Sequence, residues 1–295
     1  MTEHAPHGTP DFERLLAEMR PMLHRYCARM TGSVIDGEDV VQDALLKAFA
    51  ARASADAIAN PRAWLVRIAH NTALDFLRRR ARGPVLEHDG ALGMVPAPEP
   101  PDPEVVSASL RSFMRLPTLP RAAVILKDVL GHSLDEVASI TGASAAAAKS
   151  ALQRGRARLR VIAREPDDFP LPTLSDAAHA RLVAYVDGFK AGDFDAVRAM
   201  LAEDVELDLA AHFRQRGKSE VGGYFRRYAA ATRWAYAVGM AEGRPAMLVY
   251  DREVSLDAPA YFVALEFAGD RVAGVRDFLF ARYAMDGVEL RRLEP

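Results

Sequence analysis

Arg67, His70, Asn71, Asp75, Arg78 and Arg79 recur at intervals of three and four residues. On a helix that spacing puts them on or beside one face. A second group, Ala147, Lys149, Ser150, Gln153 and Arg154, lies within SITGASAAAAKSALQRGRARLR, Ser139 to Arg160. Arginine and lysine neutralise phosphates, while Ser, Asn and Gln exchange hydrogen bonds with base edges. The first group suits a single strand with an unstacked base, which needs a basic track and pockets. The second suits the major groove of a duplex. Neither group pairs a nucleophile with a base, and no metal-ligand spacing occurs, so no catalytic residue, cofactor or metal is expected from them.

Helices must position these groups. In HSLDEVASITGASAAAAKS, Ser133 can cap a helix whose apolar residues Leu134, Val137, Ala138 and Ile140 face inward. Gly142 then tolerates the turn, and Ser144 caps the helix that follows, which is the layout of a helix-turn-helix. At about 100° per residue, Ala148, Leu152, Gly155 and Leu159 fall on one side of that second helix. Ala147, Ser150, Arg154 and Ala157 fall opposite, flanked by Lys149 and Gln153. Small residues at its front allow close approach, with donors one turn later. Such a motif by itself leaves repressor, activator and polymerase subunit open. Upstream, Asn60 is a plausible cap before Pro61, where the helix carrying the arginine stripe begins. In GEDVVQDALLKAFA, Glu38, Asp39, Gln42, Asp43 and Lys47 form a polar surface over Val40, Val41, Leu45 and Leu46. That surface could hold a partner by charge and hydrogen bonds.

The net charge of −2 over 295 residues hides a division. Residues 1–83 carry +2, 84–103 carry −4, 104–165 carry +5 and 166–295 carry −5. The basic stretch 104–165 is where a phosphate backbone would be met. Residues 84–103 are Pro-rich and acidic, a linker composition, and 166–174 form a shorter break. Helical domains are therefore expected at 1–83 and 104–165, and a third domain at 175–295. The last begins with helices and turns to alternating segments, VELDLA, MLVYD and the hairpin YFVALEFAGDRVAGVRDFLFARY, which is an α+β pattern. A lone cysteine, Cys27, and the lack of a membrane-spanning apolar run point to a reducing, cytoplasmic setting without a membrane.

GEDVVQDALLKAF, NPRAWLVRIAHNTALDFLRRR and RLPTLPRAAVILKDVLGHSLDEVASITGASAAAAKSALQRGRARL, in that order, resemble the extracytoplasmic function sigma factors. The resemblance covers about residues 11–163. It implies that 1–83 is sigma domain two, which binds the clamp of core RNA polymerase through Glu38, Asp39, Gln42, Asp43 and Lys47. Arg67, His70, Asn71, Asp75, Arg78 and Arg79 would read the −10 element, with the loop RASADAIAN capturing a flipped base. Residues 104–165 would be sigma domain four, reading the −35 element of promoter DNA with Ala147, Lys149, Ser150, Gln153 and Arg154. The acidic linker 84–103 would thread the basic RNA-exit path of polymerase.

The phrase YVDGFKAGDFDAVRAMLAEDVELDL resembles the SnoaL-like, ketosteroid-isomerase-like cone fold. A pocket there would draw on Asp208, His212, Trp234 and Asp277, with Tyr228, Tyr236, Phe262 and Phe278 as walls. The whole is read as a multidomain chain, two all-α sigma domains followed by an α+β SnoaL-like domain that regulates the sigma factor in cis. Two alternatives stand beside it. One is a helix-turn-helix regulator independent of core polymerase, and the other an isomerase-like enzyme with accessory helices.

Overall fold

Serine caps open the helices that matter most. Ser33, Ser133, Ser144 and Ser175 each accept a hydrogen bond from the backbone N–H three residues on, meeting one of the donors a helix start leaves unpaired. At Ser133 the bond is reciprocal, because the Glu136 side chain returns to the Ser133 N–H at 2.8 Å. The computed structural model describes residues 9–52, 60–81, 108–165 and 172–294. The expected base-capturing loop and the acidic linker 84–103 lie outside the described residues, apart from the loop's ends, Arg52 and Asn60.

The chain forms two compact units, Met1–Asp167 and Asp168–Pro295. The first is helical: α1 (Thr9–Thr31), α2 (Val34–Ala50), α3 (Pro61–Ala81), α4 (Leu110–Met114), α5 (Thr118–Val124), α6 (Leu134–Thr141) and α7 (Ala145–Ile162). A π-helical turn, Ile125–Val129, continues α5. The two helical domains expected from the sequence share one hydrophobic core in this unit, running from Met19, Leu23 and Tyr26 to Leu152, Leu159 and Ile162. Gly142 ends α6 at φ +74, the left-handed turn that glycine adopts without strain. Gly155 lets α7 cross α5 closely, since a Cβ there would lie 2.5 Å from Val124 Cγ2 and 2.9 Å from the Pro120 carbonyl.

The second unit is α+β, helices first and sheet after, as the SnoaL-like resemblance implies. Helices α8 (Asp176–Ala191) and α9 (Phe194–Ala199) precede strands β1 (Leu201–Leu209) and β2 (Phe213–Arg216). Helix α10 (Lys218–Ala229) follows, then β3 (Trp234–Ala241), β4 (Arg244–Asp251), β5 (Tyr261–Ala268), β6 (Arg271–Asp277) and β7 (Leu290–Arg292). The seven-stranded sheet has the order β2-β1-β6-β5-β4-β3-β7, antiparallel except where β1 meets β6. Helix α8 packs on β3 and β4, and α10 on β1. Within DAVRAMLAE, helix α9 stops at Ala199, because Leu201 already pairs with Val272. Sheet pairing takes those residues from the helix.

Candidate nucleic-acid interface

The arginine stripe is on the surface. Arg67, Asn71, Asp75, Arg78 and Arg79 of α3 are all exposed, while Leu65, Val66, Ala69 and Ala73 are buried beneath them. His70 is placed inside instead, 3% exposed. The Tyr26 hydroxyl lies 2.6 Å from His70 Nδ1. Burial, aided by the Arg78 charge, lowers the His70 pKa to about 4, so the ring is neutral at neutral pH. Burial also keeps the Tyr26 phenol protonated, so the bond joins two neutral groups.

Helix α2 lies beside this stripe and is joined to it by charge. Lys47 Nζ is 3.8 Å from Asp75 and donates to Thr72 Oγ1 at 3.2 Å; Asp43 is 3.9 Å from Arg79, and Asp36 pairs with Arg80. Asp43 and Lys47 are exposed, and Asp39 and Gln42 half-buried. Glu38 is buried and paired with Arg20 of α1, so the polar surface read from the sequence is narrower by one carboxylate. Next to it Leu46 and Phe49 are exposed, adding apolar surface to the same end of α2. The contiguous outer surface of α2 and α3 thus offers cations, carboxylates and two large apolar side chains.

On α7 the wheel read from the sequence is realised for the buried side: Ala148, Leu152, Gly155 and Leu159 are all inside. Ala147, Lys149, Gln153 and Arg154 are half-buried, and Ala145 and Ala146 exposed. Ser150, expected on the outer face of α7, is buried instead, because its Oγ accepts from Arg154 Nη1 at 2.7 Å and the Arg154 side chain covers it. That bond presents the two residues as one polar unit. Behind them Arg156 forms a bidentate pair with Asp128 of the π turn, Nε to Oδ2 at 2.9 Å and Nη2 to Oδ1 at 2.5 Å, both side chains buried. Together with the Gly155 crossing, this pair sets the angle at which α7 is held. Neither Arg156 nor Asp128 stood out in the sequence, where the arginine is one of four basic residues in QRGRARLR.

The residues expected to form a pocket in the second unit separate onto two faces of the sheet. Asp277 is opposite Val263 and Leu209 in register and shares their core face. Its Oδ2 accepts from Tyr228 at 2.6 Å and Tyr224 at 3.0 Å, and its Oδ1 from the Leu279 N–H at 2.8 Å. Tyr261 lies 3.0 Å from Tyr228, and Trp234 meets Tyr261 edge-on at 5.3 Å. Burial raises the Asp277 pKa, opposed by the hydroxyl and backbone donors. Asp208 is one residue out of phase with Leu207 and Leu209, so it points to the other face, 3.0 Å from Arg214 Nη2 and 3.2 Å from Arg276 Nε. His212 is exposed beside Phe280, with ring centroids 4.7 Å apart. Phe262 and Phe278 stack on each other at 4.3 Å, away from the Asp277 cluster. Asp277 and Trp234 are therefore linked through tyrosines, while Asp208 and His212 are not part of that network. Sequence reading named Tyr228 but missed Tyr224 and Tyr261; the signal for Tyr224 was its i, i+4 spacing from Tyr228.

Two family models match within the helical unit. Residues 15–83 match the family described as Sigma-70 region 2, and residues 110–159 match Sigma-70, region 4. The ECF RNA polymerase sigma factor SigM of Mycobacterium tuberculosis is 33% identical over 148 residues, half of this chain and 74% of that protein. The chain belongs to the extracytoplasmic function sigma factors. Sigma factor SigG of the same organism is 29% identical over 91% of this chain and 81% of its own, reaching beyond the two sigma regions. The crystal structure of M. tuberculosis SigJ covers 90% of this chain and 95% of its own at 22% identity and a TM-score of 0.36. This sigma factor acts by binding core RNA polymerase and promoter DNA, and its second unit is an α+β domain. Among the described residues, no helix is long and apolar enough to cross a membrane.

Proposed function

We propose that this sigma factor reads the −10 element with Arg67, Asn71, Asp75, Arg78 and Arg79 of α3. The −35 element is met by the front of α7, through Ala147, Lys149, Gln153 and the Ser150–Arg154 unit. Core polymerase docks on the outer end of α2, at Asp39, Gln42, Asp43 and Lys47. The observation that carries this reading is the single exposed stripe on α3, ion-paired along its side to α2. Promoter opening and polymerase docking then act on one rigid helix pair. His70 supports the stripe from beneath through its bond to Tyr26, and Glu38 does the same for α2 through Arg20.

The SnoaL-like unit regulates this activity in cis. In favour of that are its fusion to a complete pair of sigma regions and its charge, −5 over residues 166–295 against +5 over 104–165. Run-off transcription with core polymerase, comparing the full chain with one ending after Glu165, tests both parts. Both proteins are expected to bind polymerase, and their transcript yields to differ several-fold. Equal yields at every promoter tried would remove the regulatory role, and loss of polymerase binding by both would remove the docking assignment.

A further inference from the structure

Helix α7 is held by two unlike kinds of contact. Over its front half the buried residues are Ala148, Ser150, Ala151 and Leu152. Contact through alanine is apolar and non-directional, so it keeps the helix against its neighbours without setting its roll about its own axis. At Gly155 the approach is closer than any side chain permits, since a Cβ there would lie 2.5 Å from Val124 Cγ2. That crossing fixes a point on α7, and one residue further comes the group that can fix its rotation. The side chains of Arg156 and Asp128 are 6% and 0% exposed. Their two parallel bonds form only when the guanidinium and carboxylate planes coincide.

An irregularity of the backbone places the carboxylate. Asp128 lies in the π-helical turn Ile125–Val129, after which the Leu130 N–H donates to the Ile125 carbonyl, five residues back, at 3.0 Å. A π turn takes in one residue more than an α turn, and single turns of this kind recur at functional sites. Stability is a weak reason for such a pair, because apolar side chains of similar volume often replace a buried ion pair without loss; what the pair can supply is a single geometry. Geometry matters at this position. Arg156 is two residues from Arg154, about 200° around the helix, so anchor and reader lie on opposite sides of α7. Any roll allowed at the anchor reaches the reader undiminished. At a side-chain radius of about 6 Å, a roll of about 20° carries the Ser150–Arg154 unit about 2 Å, too far for a hydrogen bond to a base edge to survive.

We propose that Arg156 and Asp128 are positioning residues that determine specificity at the −35 element. By fixing the roll of α7 they let the Ser150–Arg154 unit discriminate between base pairs, while adding little to stability or to phosphate binding. The proposal rests on the assignment of α7 as the −35 reader. Holoenzyme made from the full chain and core polymerase first selects a promoter from DNA randomised over both elements. Variants are then compared on that promoter and on copies with each −35 or −10 base pair changed. Wild type is expected to discriminate by about tenfold or more at its best-read −35 base pair. The double variant Asp128→Leu/Arg156→Met should unfold at the same temperature or higher, bind DNA with an unchanged salt slope, and discriminate there by about threefold or less. Discrimination at −10 should stay as in wild type, which separates a loss of positioning from a general loss of folded protein.

Arg156→Lys is the second variant, keeping the charge but not the two-point fork. It should fold and fall between the other two in −35 discrimination. Undiminished −35 discrimination in every variant that folds overturns the proposal, as does an equal loss at −10 and −35. Arg154→Ala run in parallel reports on the reader itself. If it leaves −35 discrimination intact, the assignment of α7 fails and takes the proposal with it, a result distinct from failure of the anchor alone.

Discussion

Helices α2 and α3 carry a stripe of ion pairs on their outer surface, whereas the sheet unit holds its Asp277 cluster inside. On α2 and α3 the ion pairs Lys47–Asp75 and Asp43–Arg79 join side chains that are each more than half exposed. In the sheet unit the carboxylate of Asp277 is fully enclosed and held by two phenols and a backbone N–H. Water screens the first kind of group, leaving it free to exchange partners when a polyanion arrives. The second kind cannot exchange partners without opening the fold, so its hydrogen bonds belong to stability first. On the proposed reading, surface charge marks the part of this sigma factor that meets DNA, and interior polarity marks groups that keep a domain in one shape.

Each unit holds one tryptophan, Trp64 in the helices and Trp234 in the sheet, so the contrast can be broken one side at a time. The largest effect is expected from Asp277→Ala. It leaves the Tyr224 and Tyr228 hydroxyls and the Leu279 N–H without an acceptor, a loss of about 4 kcal/mol. Denaturant unfolding followed by Trp234 fluorescence in a Trp64→Phe background should show it, while Asp277→Asn, which keeps one acceptor, should lose less. An unchanged midpoint for Asp277→Ala would mean that the enclosed network contributes no stability.

Next in size is the acid response of the helical unit. His70 has its folded pKa lowered from 6.5 to about 4. Its contribution is fully present above the unfolded value and is lost as pH falls from there toward the folded one, by about 3 kcal/mol in all. Unfolding followed by Trp64 in a Trp234→Phe background should therefore weaken between pH 6.5 and 4. A His70→Gln protein should lose most of that dependence. If the variant titrates as the wild type does, the buried imidazole is not its source.

The smallest stability effect belongs to the surface. Arg79→Ala removes an exposed pair with Asp43 and should cost at most about 0.5 kcal/mol. Its promoter affinity should nevertheless fall, together with the slope of affinity against salt, by about one phosphate contact. Loss of stability without a change in salt dependence would reverse the roles given to the two kinds of polar group.

Much of the first unit was legible because a helical face follows from spacing alone. Arg67, Asn71, Asp75 and Arg78 emerge together on the surface, and Ala148, Leu152, Gly155 and Leu159 are buried together, from 3.6-residue periodicity without reference to neighbours. Caps were equally local, so Ser133, Gly142 and Ser144 stand where their chemistry placed them. His70 and Glu38 were misplaced because each sits at the border of its stripe. Which way a border residue turns depends on partners distant in sequence, here Tyr26 and Arg20.

By itself, the sequence determined the order of modules, the helix-turn-helix, the exposed stripe and the α+β character of the C-terminal half. These depend on periodicity, caps and charge within a few residues. Only the tertiary structure decided that Asp208 and Asp277 lie on opposite faces of the sheet, because register is a relation between strands. Likewise it alone brought Arg121 to the carbonyl of Met30, 91 residues away. A buried arginine in the run RAAVIL looks like any basic residue until the helix end that accepts its hydrogen bond is in place.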